Sequence, residues 1–117
     1  MSDVDVIYKI CPRKAWEAAV TGGRYVGSAD DARDGFIHMS TLAQLAGTAA
    51  RHFRGQPDLV IVALAVDRMG PALRWEPSRG GAMVPHLYGP LDTAAALFVR
   101  PLPLGDDGVP VMPEDLA

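Results

Sequence analysis

Leu59-Val60-Ile61-Val62-Ala63-Leu64-Ala65-Val66 is a run of eight residues without one polar side chain. A strand that faces solvent on one side alternates apolar with polar; this run is apolar on both faces. It therefore predicts a strand covered from both sides, the centre of a sheet. Eight residues fall far short of the ~20 that a membrane helix needs, so the run reads as core and predicts no association with a membrane. Toward the C-terminus, Leu73-Arg74-Trp75-Glu76 predicts a second strand and Ala95-Ala96-Leu97-Phe98-Val99-Arg100 a third. Between them, residues 77–92 carry three prolines and three glycines and are expected to be irregular. After Pro101 the chain is Pro-rich and acidic, which predicts an extended or partly disordered tail over 102–117.

Toward the N-terminus, Leu42, Leu45, Ala46, Ala49 and Phe53 fall on one helical stripe, opened by a Thr41/Gln44 capping box and closed by Gly55. Ahead of it, Gly35-Phe36-Ile37-His38-Met39 predicts a short strand, with Phe36 and His38 on one face and Ile37 and Met39 on the other. Residues 24–34, rich in Gly, Ser and Asp, read as a loop. Pro12 opens a helix through Ala15 and Val20, which Gly22-Gly23 stops. VDVIYKIC, residues 4–11, reads as the opening strand. The order β-α-β-α-β-β-β predicts an α+β fold in which two helices pack on a mixed or split sheet, with residues 1–101 as a single domain.

The 117 residues are 49% hydrophobic and 21% charged, the balance of a globular chain. Cys11 is alone, so no disulfide closes within the chain, as suits a reducing compartment. The acidic start carries no basic and apolar leader, and the expected location is the cytoplasm. A formal net charge of −3 argues against nucleic-acid binding driven by overall charge, although an RNA end stays among the ligands considered. The oligomeric state is open.

Four polar positions stand out. His38 closes a short strand just before Ser40 and Thr41 at a helix start, where free N–H groups favour an anion. It reads either as a ligand donor or as a sheet histidine bonded to a carbonyl. Glu76 ends a strand before the Pro77-Ser78-Arg79-Gly80-Gly81 loop; it is a candidate base or sugar-hydroxyl acceptor, or else a partner of Arg74 or Arg79. His86 and Tyr88 lie in Val84-Pro85-His86-Leu87-Tyr88-Gly89-Pro90, whose prolines make a stiff support for both side chains. His52, on a helix, reads as solvated. The chain has no zinc-ligand spacing, no GxGxxG, no P-loop and no GxSxG, so neither a metal nor those nucleotide and hydrolase chemistries are expected. Cys11 reads as a small buried residue rather than a nucleophile.

Tyr8-Lys9-Ile10, Trp16, Gly27-Ser28, Asp34-Gly35-Phe36-Ile37-His38-Met39-Ser40-Thr41, Trp75-Glu76 and Pro85-His86-Leu87-Tyr88-Gly89 together resemble the family called domain of unknown function 952. The resemblance runs to about Pro101. It implies a fold related to the ADP-ribosyltransferases, with two small sheets around a nicotinamide-dinucleotide cleft and NAD as the cofactor. The GFIHMST segment is similar to one in tRNA 2′-phosphotransferases, where a histidine holds the nucleotide. On that resemblance His38 takes the second motif position and Glu76 or His86 the later one, which makes the three the catalytic candidates. Tyr8, Lys9, Ser40, Thr41, Arg79 and Tyr88 become the cofactor-binding candidates. Tyr8-Lys9 departs from the group, which commonly places His or Arg there. Three functions follow as expectations: an ADP-ribosyl- or phospho-transferase, a non-catalytic module for a small polar metabolite or nucleotide, and a protein that binds partners through Trp16, Trp75 and the Pro-rich tail.

Overall fold

A computed structural model describes residues 4–78, 80–114 and 116. The apolar run lies where its composition demands. It forms β4 (Leu59–Ala65), flanked antiparallel by β1 (Val6–Pro12) on one side and β8 (Ala96–Leu102) on the other. Successive side chains of β4 point to opposite faces, and each face has its own core. Val60, Val62 and Leu64 join Ile7, Cys11, Trp16, Ile37, Leu87 and Leu91. Leu59, Ile61 and Ala63 join Tyr8, Ile10, Leu45, Ala49, Leu102 and Leu116.

A second sheet of β3 (Ile37–His38), β6 (Met83–Leu87) and β5 (Leu73–Pro77), in the order β3-β6-β5, lies beyond the first core. The two sheets meet where the Tyr8 and Ser40 backbones exchange hydrogen bonds of 2.8 and 2.9 Å. A short ladder of β2 (Arg24–Tyr25) with β7 (Leu91–Asp92) completes the pairing. α1 (Arg13–Gly22) buries Trp16 in the first core, and α3 (Leu45–His52) buries Leu45 and Ala49 in the second. The protein is a single α+β domain. No helix among the described residues is long and apolar enough to cross a membrane.

Several elements differ from expectation, each for a local reason. The expected loop at 24–34 instead holds β2 and α2 (Ala29–Asp34). Ser28 caps α2 through Asp31 N–H, and the Asp31 carboxylate accepts from Ser28 N–H, a reciprocal capping box. With α2, three α-helices rather than two stand among the described residues. The stretch 77–92 is not irregular throughout, for it contains β6 and β7. Pro85 sits within β6, and its carbonyl accepts from Met39 N–H. The Thr41/Gln44 box forms, but the turn it opens (Leu42–Gln44) is a 3₁₀ turn. That tighter turn shifts the phase of the stripe, so Leu42 and Ala46 are exposed while Leu45 and Ala49 are buried. Pro12 is the N-cap of α1 rather than its first helical residue.

In the Pro-rich stretch, Leu104 and Pro110 pair as an isolated bridge. Leu116 is buried, and its carbonyl accepts from Tyr8 Oη at 2.8 Å.

Candidate functional site

Antiparallel register places the polar groups. Ile37 and Leu87 face each other across β3 and β6 and are buried, as is Pro85, so the intervening residues present their side chains on the opposite face. On that face His38 stands directly across from His86, and His86 directly across from Arg74 of β5. Phe36 and His38 share it, as the alternation of the sequence predicts. Phe36 becomes the hub of a ring cluster: its ring stacks on His86 at 3.9 Å, centroid to centroid, and lies 4.6 Å from His38 and 5.2 Å from Tyr88. The His38 and His86 rings meet edge to face at 5.7 Å.

Glu76 pairs in register with Val84, two residues from His86, which brings its carboxylate diagonally under the imidazole. Glu76 Oε1 accepts from Tyr88 Oη at 2.7 Å and lies 2.8 Å from His86 Nδ1. The Tyr88 and His86 hydrogen bonds hold the Glu76 carboxyl below the usual range, so it stands as the anion. The same bond to Glu76 raises the Tyr88 phenol. A carboxylate accepts only, so Nδ1 of His86 must donate, and in the neutral ring Nε2 carries the lone pair. Arg74 lies over the Tyr88 ring, 4.9 Å from its centroid.

His38 is held differently. Its Nδ1 lies 2.6 Å from Asp31 Oδ1 and its Nε2 lies 2.9 Å from Asp34 Oδ2. Both are hydrogen bonds at once only when both ring nitrogens carry a proton. Behind His38, Asp31 Oδ2 receives Lys9 Nζ at 2.9 Å, and both side chains are buried. Lys9 Nζ also donates to the His38 carbonyl, and His38 N–H donates to Asp31 Oδ1. Burial disfavours the Asp31 anion, but the charge of Lys9 and the bonds from His38 and Ser28 outweigh it and bring its carboxyl down to about 2.

His38, Glu76, His86 and Tyr88 thus come together on one face. Tyr8, Lys9, Ser40 and Thr41 do not join them. Tyr8 and Lys9 are buried, with their polar ends bonded to Leu116 and to Asp31. Ser40 Oγ pairs with Thr48 Oγ1 at 3.2 Å, and Thr41 N–H donates to Gln44 Oε1. Arg79 lies outside the described residues. His52 is exposed on α3. Cys11 is buried in the first core, and burial pushes its thiol up to about 11. Trp16 is buried, 6.0 Å from the Tyr25 ring. Asp31, Asp34 and the Phe36 ring were not among the expected site residues. Ser28-Ala29-Asp30-Asp31 carries the capping-box spacing that would have signalled α2 and, with it, Asp31.

A cleft of about 570 Å³ opens beside the cluster and takes Phe36 as part of its wall, with Arg24, Val26, Ala32 and Pro90 also lining it. Among the described residues, no group of three or more His, Cys, Asp or Glu side chains is disposed to hold a metal ion.

The model of a family described as a protein of unknown function, DUF952, matches residues 10–99. The chain belongs to the DUF952 family. Among solved structures, this DUF952 chain is similar to the crystal structure of protein CC0527 from Caulobacter crescentus, with 49% identity and a TM-score of 0.88 over 91% of this chain and 93% of that one. It is likewise similar to the solution structure of CC0527, with 50% identity and a TM-score of 0.81 over 90% of each chain. No curated protein matches it.

Proposed function

We propose that this DUF952 protein binds a small polar, nucleotide-like ligand over Phe36 and acts on it as a transferase of the ADP-ribosyl or phosphoryl type. One observation carries the reading: Glu76 Oε1 serves both His86 Nδ1 and Tyr88 Oη, while His86 stacks on Phe36 opposite His38. Carboxylate-held histidines beside an aromatic platform suit a ligand with a flat ring and hydroxyls. Two three-stranded sheets that share one core and exchange backbone hydrogen bonds at Tyr8 and Ser40 favour the split arrangement of the ADP-ribosyltransferase group.

NAD is the first candidate, and the groups present fit it in part. Phe36 offers a ring face, and no described residue takes Glu76 Oε2, which leaves that oxygen for a ribose hydroxyl. When bound, NAD would supply the glycosidic bond that breaks in the transfer, with nicotinamide as the leaving group. The chain's own part is then to orient and to move a proton. Glu76 fixes the tautomer of His86, whose Nε2 takes the proton of an attacking hydroxyl. The carboxylate of Glu76 also favours positive charge developing at the sugar. His38, flanked by Asp31 and Asp34, gives the other wall its edge. A ligand atom reaches His38 Nε2 only by replacing Asp34.

A second reading, a non-catalytic binding module, rests on Tyr8 and Lys9. They stand where the transferase group places its first motif residue, yet both point inward to Leu116 and Asp31. Thermal unfolding against NAD, ADP-ribose, nucleotides and an RNA 2′-phosphate tests the shared site. A ligand at ~100 times its Kd adds about 2.7 kcal/mol, a shift of several degrees for a domain this size. A shift with a nucleotide-like ligand that His86→Ala loses supports the site. Turnover of NAD or transfer to RNA then selects the enzyme reading, and binding without turnover selects the module. A flat response to the whole panel rejects both.

A further inference from the structure

The cleft beside Phe36 has a chemistry of its own. It is walled by the end of α1, by β2 and the residues after it, by α2 and by the turn from β6 to β7. Much of that wall is apolar or backbone, and Val26 stands 75% exposed. The cation on the wall is Arg24. Its cross-strand neighbour is Asp92, but the Asp92 carboxylate accepts from Ala94 N–H at 2.9 Å, capping the turn that follows. Among the described residues Arg24 has neither an ion pair nor a side-chain hydrogen bond. Arg13 and Arg33, by contrast, are engaged by Asp58 and Asp30. Among the described residues that line the cleft, the carboxylate is that of Asp31, which is buried and neutralised by Lys9 at 2.9 Å, so this wall presents little negative charge.

An unpaired guanidinium beside an apolar wall suits a ligand that carries phosphate on a flat or apolar body, because the planar fork matches phosphate oxygens in pairs. Phe36 belongs both to this wall and to the ring cluster. One ligand lying across Phe36 would therefore reach Glu76 and His86 with its polar end and Arg24 with its phosphate. We infer that Arg24 and this cleft form the phosphate subsite of a nucleotide-type ligand, an assignment that rests on the nucleotide-like reading of the Glu76–His86 face. The subsite selects phosphorylated ligands over their phosphate-free counterparts.

The test is titration calorimetry of the full chain with ADP-ribose, on wild type, Arg24→Gln, Arg24→Lys, Ala32→Trp and His86→Ala. A charge-assisted contact to phosphate predicts that Arg24→Gln weakens binding about ten- to a hundredfold, at an unchanged melting temperature. Arg24→Lys restores part of the loss by keeping the charge without the fork. Ala32→Trp, at an exposed position on the wall, weakens binding by filling the cleft. If Arg24→Gln and Ala32→Trp bind like wild type while His86→Ala does not, the subsite assignment is wrong and the reading of the Glu76–His86 face stands. If wild type binds no ADP-ribose, the nucleotide reading itself fails and the subsite falls with it.

Discussion

Lys9 and Asp31 form an ion pair of 2.9 Å between side chains that are both almost inaccessible to solvent. Lys9 comes from the first strand and Asp31 from a short helix, so the pair ties the first sheet to the element that carries both carboxylates of His38. It also explains why two charged residues stand in the interior of a small domain. Each satisfies the other, and the remaining bonding capacity goes to the His38 carbonyl and ring and to Ser28 N–H.

Breaking that pair from one side leaves a buried charge uncompensated. Lys9→Met and Asp31→Asn should each destabilise the fold by roughly 3–5 kcal/mol, read from urea unfolding. The double variant should cost clearly less than the sum of the two. Additive losses would show that the pair is not coupled.

The same pair sets an acid limit. The Asp31 carboxyl lies at about 2 when folded, against an ordinary value of 3.8. Its folded value is depressed, so the stabilisation is complete above about pH 4 and is lost as pH falls toward 2. A depression of that size corresponds to a contribution on the order of 2 kcal/mol. Unfolding free energy measured from pH 5 to pH 2 should fall by that amount in wild type beyond what Asp31→Asn shows. Parallel curves for the two proteins would contradict the assignment.

Gly27 is the backbone condition for Asp31. Its φ is +105°, and a Cβ there would lie 2.7 Å from Asp31 Cβ. Gly27→Ala should therefore destabilise by more than ~1 kcal/mol, through strain at positive φ and displacement of Asp31. The expected spectroscopic sign is a shifted His38 ring resonance. An alanine variant as stable as wild type, with His38 unmoved, would mean that the loop relaxes freely.

Much of the fold was legible because the three strands of the first sheet are long and strongly patterned. Residues 59–66 could hardly be anything but a central strand. The elements missed were β2, α2, β6 and β7, which are short, rich in Gly, Pro and Asp, and held by pairing with distant partners. β6 carries Pro85, a residue that argues locally against a strand. Of the site, His38, Glu76, His86 and Tyr88 were visible as polar residues on strand ends and stiff loops. Asp31 was not, because the capping-box spacing of residues 28–31 marks a helix start without saying that the carboxylate is buried; its partner Lys9 lies 22 positions away. The inward turn of Tyr8 was hidden for the same reason, since the carbonyl that receives it belongs to Leu116.

Tyr88→Phe separates ligand binding from folding. Tyr88 is exposed, so losing its hydroxyl should change stability by no more than ~0.5 kcal/mol. It should nevertheless loosen Glu76 and weaken binding of a nucleotide-like ligand by roughly tenfold, measured by calorimetry. Unchanged affinity would remove Tyr88 from the site.

If the face holding His38 and His86 receives a nucleotide-like ligand, the three histidine rings report it during titration with ADP-ribose. Ring nitrogen–proton correlation spectra distinguish them, and His52, exposed on α3, serves as an internal control. A nucleotide-like ligand on that face moves the His86 and His38 signals with saturation while His52 stays fixed. Signals that stay still throughout, or that move together in all three rings, would contradict it.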